Sequence, residues 1–172
     1  MKIIVVGAGK VGYSVAKILS EEGHDITVID RDPETITHLS NELDVICVEG
    51  SATNHETLLG AGAAEADLLM AATQQDEVNM VCGITARKLG TKHVIARIRD
   101  TEYLRQTEFL REVLGLSITI NPEYECAKEI ARILRFPSAA RVDTFSKGSV
   151  EIVEHRVREH GKLDGMQLKD LS

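Results

Sequence analysis

The sequence predicts an α/β domain built on a doubly wound parallel sheet, followed by the start of a small C-terminal α+β subdomain. Three observations carry this expectation. Short apolar, β-branched runs recur at Lys2 to Val6, Asp25 to Ile29, Val45 to Val48, Asp67 to Ala71, His93 to Ile98 and Leu116 to Ile120, with helical patterns between them, which is the alternation of βαβ units. These runs are continuously apolar, as strands covered on both faces are. A glycine-rich turn, Gly7-Ala8-Gly9-Lys10-Val11-Gly12, lies between the first run and the first helical pattern.

Taken in order, the first strand stops at the glycines. The first helix puts Val11, Val15, Ile18 and Leu19 on one stripe and ends at Glu22-Gly23, where glycine suits a left-handed cap. Asp32-Pro33 is a capped helix start, and Leu58 to Gly62 closes a shorter third helix. The fourth carries Val78, Val81, Cys82, Thr85 and Leu89 as its stripe and is closed by Gly90. Asn121-Pro122 starts a sixth helix, in which Ala127, Ile130, Ala131 and Leu134 make one stripe that Cys126 and Ile133 widen. An apolar arc so broad is expected to bury two faces. After Phe136-Pro137 the pattern changes to alternation, Val142 to Phe145 and Val150 to Val157, joined by Lys147-Gly148, which reads as an antiparallel pair. The expected organisation is a first domain over 1–136, then a linker and an incomplete second unit over 137–172.

A length of 172 residues suits one domain with part of a second, and suffices for a substantial core. Three Phe, three Tyr and no Trp leave few stacking platforms for single-stranded nucleic acid. A net charge of −7 gives no global attraction to phosphate backbones or anionic lipid, so no nucleic-acid partner is expected. Cys47, Cys82 and Cys126 are odd in number and lie among apolar neighbours, so they read as buried thiols in a reducing compartment. With the histidines also scattered, no metal site is expected, because a Cys/His site needs paired ligands at short spacing. No stretch approaches the roughly 20 apolar residues of a membrane span. The N-terminal run breaks at once into glycines, where a signal peptide would continue apolar.

The glycine turn is a GxGxxG that follows a strand and opens a helix, the context in which that pattern marks a Rossmann-like dinucleotide site. Gly7 permits the tight turn, Gly9 lets backbone N–H groups approach a pyrophosphate, and Gly12 lets helix and strand pack closely. Asp30 ends the second strand 18 residues past Gly12, where a carboxylate accepts hydrogen bonds from ribose hydroxyls. It would repel a 2′-phosphate, which favours NAD(H) over NADP. ATP or ADP would satisfy the same groups, and both readings stay open.

Gly50-Ser51-Ala52-Thr53 and Ala72-Thr73-Gln74 follow the third and fourth strands, at the carboxyl edge where such sheets bind ligands. Their small residues would let an adenine approach, and solvent-exposed turns with capping hydroxyls are the plainer alternative. Arg97 and Arg99 alternate on a strand, so one can reach a phosphate while the other forms a structural ion pair. A dehydrogenase would need a substrate domain with a His or Lys acid/base at the nicotinamide, and the residues after 140 are too few to supply one. No GxSxG, HExxH or Walker lysine occurs. The expectation is a binding module rather than an enzyme. The rival readings are an NAD-dependent oxidoreductase fragment lacking its substrate domain and an NAD-sensing transcription factor, the latter disfavoured by the negative charge and the lack of a basic helix-turn-helix segment.

The opening Met1-Lys2-Ile3-Ile4-Val5-Val6-Gly7-Ala8-Gly9, Asp76-Glu77-Val78-Asn79-Met80, Ala96-Arg97-Ile98-Arg99 and Ile120-Asn121-Pro122-Glu123 together resemble the nucleotide-binding domain of the Trk potassium uptake regulators (TrkA), also called the RCK or KTN domain. The resemblance covers about residues 1 to 140, and Val150 to Ser172 is similar to the start of the family's C-terminal subdomain. It implies a cytoplasmic subunit at the inner face of the membrane, assembled as dimers within a ring, that gates a potassium-translocating membrane subunit according to bound nucleotide. It also implies an exchanged helix at the sixth position, making a homodimer contact. Carried over by position, the nucleotide contacts are Gly7, Ala8, Gly9, Lys10, Val11, Asp30, Thr73, Gln74 and Arg97. Ser51 departs from the aspartate of many relatives, which removes the expectation of a contact there. In related regulators an acidic residue at the position of Glu123 can help hold a cation between subunits, while the helix dipole alone also favours a glutamate there. Full regulators carry two such halves in tandem, and this chain resembles a first half.

Overall fold

Four consecutive apolar residues, Ile3 to Val6, are each no more than 3% exposed, and they alternate between two separate cores. That is the signature of a central strand covered on both sides. The computed structural model describes residues 1–135, 139–145, 150–157, 159–161, 163–167 and 169. By internal contacts the chain divides into two units, Met1–Pro122 and Glu123–Ser172.

The first unit is a six-stranded parallel sheet of β1 (Lys2–Val6), β2 (Asp25–Asp30), β3 (Ile46–Glu49), β4 (Leu68–Ala71), β5 (His93–Arg97) and β6 (Ile118–Ile120), in the order β3-β2-β1-β4-β5-β6. The helices are α1 (Lys10–Glu21), α2 (Pro33–Glu42), α3 (His55–Gly60), α4 (Asp76–Leu89), α5 (Thr101–Arg105) and α6 (Thr107–Leu114). Ala16 of α1 and Leu39 of α2 share one core with Ile3, Val5, Ile26 and Val28. Leu58 of α3 and Cys82 and Ala86 of α4 share the other with Ile4, Val6, Leu69 and Val94. Each fully buried Val, Ile or Leu contributes about 1.5–3 kcal/mol, and both cores include strand β1. This is the Rossmann-like, doubly wound fold that the sequence predicts. The strand order reverses between β1 and β4, so their carboxyl ends part and open a crevice.

The helices differ in detail from their expected faces. In α1 the buried residues are Gly12 and Ala16, while Ile18 is 54% exposed. In α4 they are Asp76, Asn79, Cys82, Gly83 and Ala86, while Val81 is 45% exposed. Close packing is the reason. A Cβ on Gly83 would lie 2.7 Å from Leu116 Cδ2 and 3.0 Å from Val94 Cγ1, so small residues face the sheet. The segment between β5 and β6 holds two short helices parted at Gln106, which makes the helix at Pro122 the seventh.

The second unit holds α7 (Pro122–Arg135) and an antiparallel pair, β7 (Ala139–Phe145) and β8 (Val150–His155), in register Val142 to Val153 and Phe145 to Val150. Lys147-Gly148, the expected joint of that pair, and Phe136-Pro137 lie outside the described residues. The units divide after Pro122, the first residue of α7, whereas the pattern change in the sequence lies after Phe136. Helix α7 has no buried residue among those described, and Tyr124, Ile130, Ile133 and Leu134 are 53–73% exposed. Cys126 is accordingly exposed rather than buried, Cys47 is half-buried, and only Cys82 matches the expected buried thiol. Burial pushes the Cys82 thiol up to about 12.

Candidate functional site

Strand β1 runs into a turn at Gly7, whose φ of +89° is one that side chains rarely adopt. Its N–H donates to Ile29 O at 2.8 Å. A Cβ on Gly12 would lie 1.8 Å from Gly7 O, so only glycine lets α1 start this close to the strand. At Gly9, by contrast, a Cβ would meet nothing within 4 Å, and the space over the turn is open. Gly9 is the N-cap of α1 and contributes no side-chain cap, and the first turn carries no acid. Asp32, Asn54 and Asp100 cap α2, α3 and α5 through their side chains. The amides at the start of a helix lack intrahelical acceptors and carry partial positive charge, so Lys10 and Val11 stand at an uncapped, anion-attracting helix end.

Asp30 ends β2 beside this turn. Its Oδ2 accepts the Ala8 N–H at 2.6 Å and its Oδ1 accepts the Asp32 N–H at 3.0 Å. An ionised carboxylate has about four lone-pair directions, so each oxygen keeps one for a further donor. The neighbouring loop is tied in through Gly50 N–H donating to Asp30 O at 2.9 Å, with the Ser51 and Thr53 hydroxyls bonded to each other at 2.9 Å.

Thr73 follows β4 and packs on the glycine turn: a Cβ on Gly7 would lie 3.0 Å from its Cα and N. Arg97, at the end of β5, is 7% exposed and donates from Nη1 to Thr73 O at 3.4 Å. Gln74 is exposed, and its carbonyl accepts from the Arg99 guanidinium. Arg99 makes an ion pair within the fold, its Nε 4.0 Å from Asp76 Oδ1. Asp76 Oδ2 also accepts the N–H groups of Arg99 and Asp100, both at 2.8 Å.

The chain therefore brings Gly7 through Val11 and Asp30 together at one side of the crevice, and Thr73 and Arg97 at the other, with Gly7 against Thr73 where they meet. Sequence reasoning missed Asn79 as a member of this site. It is fully buried on α4 and bonds to both Thr73 and Arg97. An amide inside an apolar helix face, between Val78 and Cys82, is the available signal, because such a group must find partners. A groove of about 490 Å³ lies at the opposite, amino edge of the sheet, between Lys2, Asp25, Ile46 and Glu65, and carries none of these residues. Among the described residues no group of three or more His, Cys, Asp or Glu converges to hold a metal, and no helix is long and apolar enough to cross a membrane.

The chain is similar to known proteins in sequence and in fold. The chain is 40% identical over 171 residues to the Trk system potassium uptake protein TrkA homolog of Archaeoglobus fulgidus, covering 99% of this chain and 39% of that one. It is 38% identical over 171 residues to the Trk system potassium uptake protein TrkA of Haemophilus influenzae, covering 98% and 37%. The chain thus spans about two fifths of the length of these relatives. Among solved structures, the TrkA-N domain of the Escherichia coli inner membrane protein ybaL superposes with a TM-score of 0.68 at 22% identity, covering 77% of this chain and 96% of that one. The GsuK channel bound to NAD gives 0.60 at 23% identity, covering 83% and 24%. GsuK bound to ADP gives 0.60 at 22% identity, covering 70% and 31%. The TrkA-N domain model matches residues 3–122, well over half of the chain, and the chain belongs to that family.

Proposed function

We propose that this chain is the nucleotide-sensing part of a regulator of potassium uptake, binding NAD(H) or, at the same site, ATP or ADP. The observation that carries the proposal is the uncapped start of α1 over open space at Gly9, with Asp30 anchored beside it through the Ala8 N–H. A diphosphate fits the α1 amides, and the ribose hydroxyls fit the remaining lone pairs of Asp30. Both parts are common to NAD and ADP, and a fixed carboxylate at the ribose disfavours a 2′-phosphate. Gly7, Ala8, Gly9, Lys10, Val11, Asp30, Thr73, Gln74 and Arg97 make up the proposed site.

Relatives named as Trk potassium uptake proteins and structural neighbours bound to NAD and to ADP support regulation over hydride transfer by a dehydrogenase fragment. The proposed partner is a potassium-translocating membrane subunit, met at its cytoplasmic face by a homo-oligomer in which dimers form part of a ring. Helix α7 supports the dimer, since it exposes Ile130, Ile133 and Leu134 on its own chain.

The test is calorimetric titration of NAD, NADH, ATP and ADP into the parent, Asp30→Asn and Asp30→Ala. Loss of a charged hydrogen-bond acceptor should weaken NAD binding by roughly 1–3 kcal/mol and raise relative tolerance of NADP. Asp30→Asn separates the charge from the Ala8 anchor, because it still offers that N–H an oxygen. Unchanged NAD affinity in both variants would remove the ribose role, and turnover of NADH with a carbonyl substrate would favour the oxidoreductase reading.

A further inference from the structure

We propose that Asn79 is a positioning residue of the nucleotide site, whose side-chain amide fixes Thr73 and the end of β5 against each other and against the glycine turn. The inference rests on the proposed nucleotide-binding role, and adds a residue that the sequence reading does not name among the site's contacts.

Every hydrogen-bonding capacity of the amide is used, and on two residues only. Oδ1 accepts the Thr73 N–H at 2.9 Å and the Thr73 hydroxyl at 2.7 Å. Nδ2 donates to Thr73 O at 3.2 Å and to Arg97 O at 2.9 Å. A side-chain amide has two donors and two acceptor lone pairs, so Asn79 is saturated, and it is 0% exposed. It cannot touch a ligand, but it decides where two ligand-facing segments sit. Thr73, in the loop after β4, and Arg97, the last residue of β5, lie 24 residues apart in the chain. The amide joins them across the carboxyl edge, and Thr73 in turn lies at the closest approach that a glycine at position 7 allows.

A second consequence concerns what Thr73 offers. Its backbone N–H is spent inward on Asn79, so that N–H donates nothing to a phosphate or a base. The hydrogen-bond donors for the ligand come instead from the start of α1 and from arginine, with Thr73 shaping the wall between them. No shorter or apolar residue at position 79 reproduces this. Alanine would leave Thr73 N–H and Arg97 O without their partner inside the fold, so that each segment would settle in a new position.

The experiment titrates ADP and NAD into the full chain as parent, Asn79→Ala, Asn79→Ser and Leu39→Ala, at a temperature where circular dichroism shows each to be folded. Leu39 is 1% exposed in the core beside α2, so its truncation destabilises the fold without touching this amide. Exchange of the Thr73 amide proton is followed alongside by NMR. The expected result is a loss of affinity of roughly tenfold or more in Asn79→Ala, faster exchange at Thr73, and affinity within about twofold of the parent in Leu39→Ala despite its lower stability. If Asn79→Ala does not fold, Asn79→Ser is judged by the same criteria. Parent-like affinity in the Asn79 variants would overturn the inference while leaving the nucleotide site standing. An equal loss in Leu39→Ala would reduce Asn79 to a general stabiliser and overturn it as well. A parent that binds neither ADP nor NAD would overturn the functional reading and this inference together, and only that outcome does so.

Discussion

Replacing Gly12 by alanine sets the packing of α1 on the strand directly against helix propensity. The added Cβ would sit 1.8 Å from Gly7 O, 3.0 Å from Gly7 C and 3.4 Å from Val5 Cγ1. An ordinary carbon–oxygen contact is about 3.3 Å, so either the first turn of α1 retreats by something on the order of 1.5 Å or the Gly7 peptide moves. The peptide has little freedom, since Gly7 N–H is bonded to Ile29 O and Thr73 packs against its other side. Alanine gains about 1 kcal/mol of helix propensity over glycine, while overpacking against unyielding backbone costs roughly 3 kcal/mol or more. The net expectation is a loss of at least about 2 kcal/mol. Urea unfolding followed by circular dichroism measures it, with Gly9→Val as the comparison. Because a Cβ at Gly9 meets nothing within 4 Å, Gly9→Val should keep parental stability and lose nucleotide binding, its side chain occupying the pyrophosphate's path. A Gly12→Ala protein as stable as the parent would refute the reasoning, and equal destabilisation by both substitutions would return Gly9 to a structural role.

Three more outcomes follow from exposed and buried side chains. Ile133, 59% exposed on α7, is expected to lie in the proposed homodimer contact, so Ile133→Glu should sediment as a monomer where the parent sediments as a dimer. A desolvated charge costs several kcal/mol there and appears twice by symmetry. Cys82 carries a thiol that burial pushes up to about 12 from an ordinary value of 9.0. The stability it contributes is therefore full below pH 9 and is lost as pH rises toward 12, because the unfolded thiol ionises first. Against Cys82→Ala, the parent's advantage in unfolding free energy should shrink by about 1.4 kcal/mol per pH unit in that window. In the folded protein at neutral pH, iodoacetamide should leave buried Cys82 intact, and should modify Cys126, exposed on α7 of the single chain, in the monomeric Ile133→Glu variant.

The strands were legible because burial on both faces writes itself as an unbroken apolar run. Lys2 to Val6 matches β1 residue for residue, and the other five strands of the parallel sheet start and stop within two residues of their expected ends, while β7 starts three residues ahead of its expected Val142. Helix faces were less legible, and for one physical reason. Hydrophobicity puts Val81 and Ile18 toward the sheet, but helices that approach a sheet closely select small residues, and it is Gly12, Ala16, Gly83 and Ala86 that are buried. The α7 stripe is as apolar as expected and yet has no buried residue among those described. Patterning alone reports that a face is apolar, not what covers it.

The candidate site divides along the same line between local and distant information. Its glycine half is local: the turn, the helix start and Asp30 belong to one βαβ unit, and the spacing of Gly7, Gly9, Gly12 and Asp30 suffices to bring them together. Its other half depends on bonds between segments far apart in sequence. Alternation on a strand leaves Arg97 and Arg99 equivalent; what distinguishes them is the burial of Arg97 and the position of Asp76, which accepts the Arg99 and Asp100 N–H groups and faces the Arg99 guanidinium. Asp76 and Asn79 are one helical turn apart on α4, so a single turn holds the β5 end at Arg97 O and at the Arg99 N–H. Both lie in the stretch Asp76 to Met80 that carries the family resemblance, but the stretch by itself does not say what either residue bonds. The chain's own hydrogen bonds thus fix both halves, Asp30 to Ala8 on one side and Asn79 to Thr73 on the other. A site ordered in this way loses little conformational freedom when it binds, so affinity should respond more steeply to these two anchors than to the exposed Gln74 or Ser51.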